Sequence, residues 1–507
     1  MSMSSVLLKG GSVLIHDANN HVVETKTSIL IENDRIAKIG PTLTEDENVQ
    51  VIDCSDKIIS PGFVDTHHHG WQTQLKGRHA NEQLLEYMVT GNLQSFQFSP
   101  EDVFYGQLAG MMESITAGTT TIVDHAHITC SPDHAKLGIA ATASSGIRSV
   151  FCYTPIMRVD GFNPLTFCRN PLDDWVMQTF HELADKGPFG AGRVTLGFAF
   201  DMFFLPPEVV KGIFAQVKQK GIQTITCHGS VSWGNVVQQL ESLDLLDKHI
   251  IISHGGTITT AQAERIKAAG ASISSTPSSE LQMAMGRPYC FDSAFVDRGI
   301  TGDAIGLQDN ASLGVDCHAA TGGSIITEAR IGLQNARHVF GEHYLKQNKV
   351  PRTMPENLSV EAAFNLATVK GAEAVGMGQD IGRIAEGSKA DLVIFDALSP
   401  SMVGAAQHDP VAAIILHSSP ADIESVIIDG IFRKKDGQLL SVEVDPSAKE
   451  ATGRQALDWM AVARKVVTSR ERMQQEIEKI DFEEAKNTLL KLFHVDEERL
   501  VDVKQKQ

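Results

Sequence analysis

The sequence predicts an α/β protein: a (β/α)₈ TIM-like barrel, a small β-sandwich domain formed from both chain ends, and a C-terminal helical tail. Three observations predict it. Short β-rich runs fill the first 57 residues and return late in the chain. Between them, eight apolar runs bounded by Gly or Pro alternate with helical stretches. Beyond Pro446 the pattern becomes long, charged and helically periodic. The expected domains are 1–57 with 380–445 as the small β domain, 58–379 as the barrel, and 446–507 as the helical extension.

At the amino end, the β-rich runs are Val6 to Leu8, Ser12 to His16, Ser28 to Ile31 and Arg35 to Ile39. Gly10-Gly11, Asn19-Asn20 and Asn33-Asp34 punctuate them as turns. The late counterparts are Ala390 to Phe395, Ile423 to Ile428 and Ile431 to Lys434. The eight barrel strands are expected at Ile58 to Thr66, Thr119 to His125, Arg148 to Thr154, Val194 to Phe200, Thr224 to His228, Ile250 to His254, Ala271 to Thr276 and Ser312 to Asp316. Strands alternating with helices argue for a parallel sheet, and eight units in about 300 residues fit a closed barrel. Gly453 to Ile480 and Phe482 to Val501 are expected as surface helices. Leu489, Leu490, Leu492 and Phe493 are the residues there that could pack on the barrel or on a second subunit.

Composition narrows the function. The chain has 507 residues, 42% hydrophobic and 21% charged, so a large core is expected. A net charge of −18 argues against nucleic-acid or anionic-membrane partners. Seven scattered cysteines with no C-x-x-C read as reduced thiols, which makes the cytoplasm the expected compartment. No stretch approaches the roughly 18 apolar residues of a membrane span, and no secretory leader is expected.

The chemistry concentrates at strand ends. His67 and His69 close the first strand in Asp65-Thr66-His67-His68-His69. Alternate strand residues point the same way, so these two project together while His68 points elsewhere. His228 ends the fifth strand, His254 the sixth and Asp316 the eighth. Each alone is in most cases a core polar residue or a helix cap. Together they face the carboxyl-terminal mouth, where such barrels place catalytic groups. Imidazole and carboxylate ligands with an open position are what make hydroxide available near neutral pH.

The run Pro61 to Gly77, with His67, His69, Gln72, Lys76 and Gly77, resembles the first-strand signature of the amidohydrolase superfamily. It is most similar to the mononuclear-metal branch holding cytosine deaminase, the triazine hydrolases and the adenosine-type deaminases. Ala117 to Thr121, Ser275 to Glu280, Gly314-Val315-Asp316 and Gly382 to Val393 extend the resemblance over roughly residues 5 to 440. It implies His67, His69, His228 and Asp316 as ligands of one divalent metal ion, with Zn²⁺ expected and Fe²⁺ or Mn²⁺ compatible. It implies Asp316 as proton acceptor, His254 beside the water or the substrate, a small-molecule substrate, and a homo-oligomer (dimer or tetramer). The fourth strand lacks the Lys that two-metal members carboxylate, so a single ion is expected; Asp201, just after it, is read as a loop or substrate-side residue.

One departure stands out. Many mononuclear relatives carry Glu three residues after the fifth-strand His, where this chain has Val231. Glu280 is the candidate substitute, catalytic or gripping an amidine-like substrate edge; as a plain helix-start carboxylate it needs no such role. Trp71, Gln72 and His125 are expected on the substrate side, with Asp124 and His127 as neighbours. Phe151, Tyr153, Phe198 and Phe200 are expected to pack inside the barrel. Cys317 is expected to pack rather than attack. The expected reaction is hydrolysis of a non-peptide C–N bond by an aminohydrolase, deaminase or cyclic amidase. The alternatives are a lyase or decarboxylase, or a ligand-binding barrel that has lost turnover.

Overall fold

The computed structural model describes residues 5–43, 49–229, 235–256, 258–291 and 306–492, together with 495, 498, 500 and 501. Eight strands form one sheet paired in chain order: β1 (Phe63–His68), β2 (Thr119–Ala126), β3 (Arg148–Tyr153), β4 (Val194–Ala199), β5 (Ile225–His228), β6 (Ile250–Ser253), β7 (Ser272–Ser275) and β8 (Ala311–Leu313). Every neighbouring pair is parallel. The seam between last and first is spanned by a parallel bridge from His68 to Asp316. The result is a nearly closed barrel with helices outside it.

Both chain ends build a second sheet of nine strands. Lys57–Pro61 pairs antiparallel with Leu392–Asp396, which joins the amino-terminal strands to Ile423–Ile428 and Ile431–Lys435. The run expected as one strand from Ile58 to Thr66 is therefore two. Its first half belongs to the end sheet and its second half to the barrel, with Gly62 between. A Cβ at Gly62 would sit 2.1 Å from Thr120 Oγ1, so a residue with a side chain could not make this passage. A strand at Val49–Asp53, absent from the sequence reading, pairs parallel with the start of Ser5–His16. Its half-exposed pattern and polar neighbours hid it.

The aromatic residues of β3 and β4, with Phe200 just after β4, correct an expectation. Phe198 packs edge-on against Phe180 at 5.2 Å, and Phe200 against Phe214 at 5.6 Å. Phe180 and Phe214 belong to the outer helices Asp174–Lys186 and Pro207–Gln219. Phe151 and Tyr153 join the same cluster, so all four fill the layer between strands and helices. The barrel interior instead carries hydroxyls: Thr66 Oγ1 lies 2.7 Å from both Ser274 Oγ and Ser312 Oγ. Small residues leave the centre to the site above it.

The tail is also more than a surface decoration. Helix Trp459–Ile477 buries Val462 against Phe104 and Leu108, and Met473 and Ile477 against Trp71 and Tyr87. Asp102, third residue of the helix begun by Ser99-Pro100, caps that helix and accepts Ser469 Oγ at 2.6 Å. Helix Phe482–Leu492 buries Leu489, while Leu492 is exposed and Phe493 lies outside the described residues. The extension thus braces the back of the segment that follows the first-strand histidines. No described helix is long and apolar enough to cross a membrane.

Candidate metal and catalytic site

His67, His69, His228 and Asp316 come together at the carboxyl end of the barrel, their donor atoms within 4.8 Å of one another. His67 Nε2 and His69 Nε2 lie 3.3 and 3.1 Å from Asp316 Oδ1, and His228 Nε2 lies 3.4 Å from His69 Nε2. Bonds of about 2.0–2.1 Å in a tetrahedron set ligands about 3.3 Å apart. The spacing found is that of a coordination shell. Register produces it: the Asp316 amide donates to the His67 carbonyl at 2.8 Å, and the His69 amide to the Asp316 carbonyl at 3.0 Å.

Each imidazole is held by its other nitrogen. His67 Nδ1 lies 2.7 Å from Ser253 Oγ, His69 Nδ1 2.8 Å from the His125 carbonyl, and His228 Nδ1 2.8 Å from Asp201 Oδ2. All three therefore present Nε2 to the same point. His67 Nε2 is buried without a hydrogen-bond partner, which a cation would satisfy. These observations fit a divalent metal ion held by His67, His69, His228 and Asp316.

Electrostatics agree. Burial drives the His67 imidazole well below its ordinary pKa, so it is a neutral donor at pH 7. Burial would raise Asp316, but His254, His67 and His69 hold its carboxyl well below the usual range. His254 Nε2 stands 3.9 Å from Asp316 Oδ1, and its Nδ1 is 2.7 Å from Thr276 Oγ1. Burial lowers His254 to about 4. His254 and Asp316 both adopt left-handed backbone, φ 66° and 64°, which is uncommon outside glycine and gathers at functional sites.

The other expected residues are placed as follows. Glu280 lies in the short helix Pro277–Gln282, one turn after the Thr276 that holds His254. Burial pushes its carboxyl up to about 8; the amides of Thr276 and Gly255 oppose this, yet neither oxygen has a well-formed hydrogen bond. Trp71 is fully buried, its Nε1 donating to His127 Nδ1 at 3.2 Å. Gln72 is tied behind the cluster to Tyr87 Oη at 2.8 Å and accepts from Cys317 Sγ. Burial pushes the Cys317 thiol up to about 12, so it packs. His125 stands 4.1 Å from the His228 ring and His127 3.9 Å from that of His69. His68 turns away, to Asp65 and His318. Val231 lies outside the described residues.

Sequence reasoning missed Ser253 and Thr276 as holders of His67 and His254, and read Asp201 as a loop or substrate-side residue. The signal was available: Ser253 and Asp201 also fall at strand ends, where side chains face the mouth.

Fold and site, with the family match and the deaminase relatives that follow, define a metal-dependent hydrolase acting on carbon–nitrogen bonds other than peptide bonds. The chain belongs to the amidohydrolase family, whose model matches residues 58–432. It is similar to a 5'-deoxyadenosine deaminase of Methanobrevibacter smithii, 28% identical over 87% of this chain and 95% of that one. It is similar also to a 5-methylthioadenosine/S-adenosylhomocysteine deaminase of Acetivibrio thermocellus, 24% identical over 87% and 96%. In fold it resembles a zinc-bound adenosine deaminase from Xanthomonas campestris, with a TM-score of 0.73, 19% identity and coverage of 93% and 99%. An atrazine chlorohydrolase from Arthrobacter aurescens complexed with zinc gives 0.69 at 20% identity, covering 88% and 99%.

Proposed function

We propose that this chain is a mononuclear zinc aminohydrolase that removes an amino group from a nitrogen heterocycle, with amino-purine nucleosides as the first substrate class to test. The observation that carries the reading is the meeting of three Nε2 atoms and one carboxylate at ligand spacing, with His254 beside them. The deaminase relatives support the substrate class and favour hydrolysis over a lyase or a non-catalytic binder.

A divalent ion held by His67, His69, His228 and Asp316 would supply a water acidified to near-neutral pKa. Asp316, ionised at neutral pH, takes up a proton at its carboxylate. His254, neutral and anchored by Thr276, polarises the substrate at Nε2 and stabilises charge that develops there. Glu280, with its pKa raised to about 8, is protonated at pH 7 and able to donate to a leaving amine or accept a substrate N–H. This assigns Glu280 the proton-handling role that Val231 cannot fill. Trp71, through His127, and Gln72, through Tyr87 and Cys317, back the cluster rather than line the substrate side expected of them, while His125 stands beside His228.

We extend the reading to the whole chain: residues 1–57 with 380–445 as the small β domain, 58–379 as the catalytic barrel, 446–507 as a bracing extension, and a cytoplasmic homo-oligomer. The test is ammonia release from amino-purine nucleosides and amino-triazines by zinc-loaded protein, with metal content measured on the same sample. About one zinc per chain and ammonia release lost in Asp316→Asn is the expected result. Two tightly bound ions, or zinc-loaded protein inert across the panel, would overturn it.

A further inference from the structure

Three polar contacts meet on one carboxylate at the lip of the barrel. Asp201 lies two residues beyond the end of β4. Its Oδ1 accepts the main-chain N–H of His228 at 2.8 Å, and its Oδ2 lies 2.8 Å from Nδ1 of the same residue. The same Oδ2 is 3.0 Å from Nε2 of His125.

His228 is the imidazole that most needs such a partner. Its side chain is 21% exposed, against 0% for His67 and 3% for His69. Packing encloses the first two on all sides. It leaves the His228 ring one open flank, so its rotation must be stopped by bonds. Backbone and ring bound to one carboxylate leave little freedom about either side-chain torsion. The acceptor at Nδ1 also requires the proton there and turns the Nε2 lone pair toward His69. His125 closes the remaining side, its ring 4.1 Å from that of His228, while its carbonyl holds His69. Asp201 and His125, the latter through its ring and its carbonyl, therefore govern two of the three nitrogen donors.

We propose that Asp201 is a positioning residue, which fixes the fifth-strand imidazole as an Nε2 donor to the cation through its two bonds to His228 and its contact with His125. The inference rests on the cation site proposed above. His125, Asp201 and His228 also form a donor group of their own. Its 2.8 Å contact is a hydrogen-bond distance, well inside the ligand spacing of about 3.3 Å. An ion there would further require Nδ1 of His228 to give up its proton. The geometry favours the clasp.

The test is equilibrium competition for Zn²⁺ between a chromophoric chelator and the full-length chain, made for wild type, Asp201→Asn and Asp201→Glu, with circular dichroism as the check on folding. Asn keeps one acceptor for the backbone N–H but places an amide donor opposite Nδ1. Asp201→Asn is expected to lose about 10–100-fold in zinc affinity, and Asp201→Glu to recover part of it. Unchanged affinity in a folded Asp201→Asn overturns the proposal and leaves the metal site standing. Wild type that binds no zinc overturns the site itself. Two zinc ions in wild type and one in Asp201→Asn would make Asp201 a ligand of a second ion and overturn the clasp. Should Asp201→Asn fail to fold, long-range ¹⁵N–¹H spectra of the zinc-loaded wild type decide: the proton on Nδ1 of His228 is expected, and a proton on Nε2 refutes the assignment.

Discussion

The backbone amide of Asp316 donates to the carbonyl of His67 at 2.8 Å. The eighth strand is thus stitched to the first at two of the residues proposed as metal ligands. Barrel closure and the site share these bonds, so disturbing either should disturb the other.

Asp316 is the first test of the chemistry. Asp316→Asn keeps the shape and the backbone bridge but removes the ionised oxygen that faces His67, His69 and His254. Turnover should fall by at least about 10²-fold while the unfolding midpoint of the metal-free protein changes little. Steady-state rates and thermal melts on the same preparation check this; normal turnover removes Asp316 from the proton path.

Gly314 tests the link between closure and site. A Cβ there would lie 2.8 Å from both Cβ and the carbonyl oxygen of His67. Gly314→Ala should displace His67 and lower zinc retention on dialysis about tenfold or more. Full retention would show that the seam can shift without moving the ligand.

Ser253→Ala removes the partner of His67 Nδ1 without touching packing volume by more than one oxygen. Zinc affinity should drop about tenfold, near the lower end of such losses. Chelator competition reads it directly, and an unaltered constant would show that burial alone orients His67.

Glu280 predicts a pH dependence of stability. Its folded pKa is raised from 4.5 to about 8. Between those values the folded state holds a proton that the unfolded state has released. Stability present below pH 4.5 is therefore lost as pH rises toward 8, at up to about 1.4 kcal/mol per pH unit. Glu280→Gln should flatten that slope and be the more stable protein at pH 8. Urea titrations of both proteins at pH 5.5 and 8 measure it, and parallel slopes would refute the buried-acid assignment.

Asp102 tests the tail. It caps its own helix through Ser99 and binds Ser469 and Arg472 of the C-terminal helix. Asp102→Ala should cost about 1–3 kcal/mol in urea unfolding. A truncation before Asp458 should lose as much or more, since it uncovers Trp71, Phe104 and Leu108.

Much of this molecule is readable in its sequence, for local reasons. The barrel strands are short apolar runs between breakers, and a run such as Ile250-Ile251-Ile252 has few other fates than a buried parallel strand. The proposed ligand residues sit at the ends of those runs, so finding the strand finds the side chain. Asp201, Ser253 and Thr276 were harder, because a strand-end Asp, Ser or Thr is ordinary and its partner lies on another strand. The aromatic residues of β3 and β4 were misplaced for a related reason. Alternation says that two faces exist, and only the neighbouring helices say which face is the core.

The sequence by itself determined the eight barrel strands, the strand-end histidines and Asp316, and the family they belong to. The tertiary structure alone decided which nitrogen of each histidine faces the centre, that Asp201 clasps His228, and that the C-terminal helix braces the Trp71 segment. Pattern and propensity act over a few residues and are written along the chain. Tautomer, ligand spacing and bracing depend on atoms brought within about 3 Å of each other by closure of the barrel, a condition no local stretch contains.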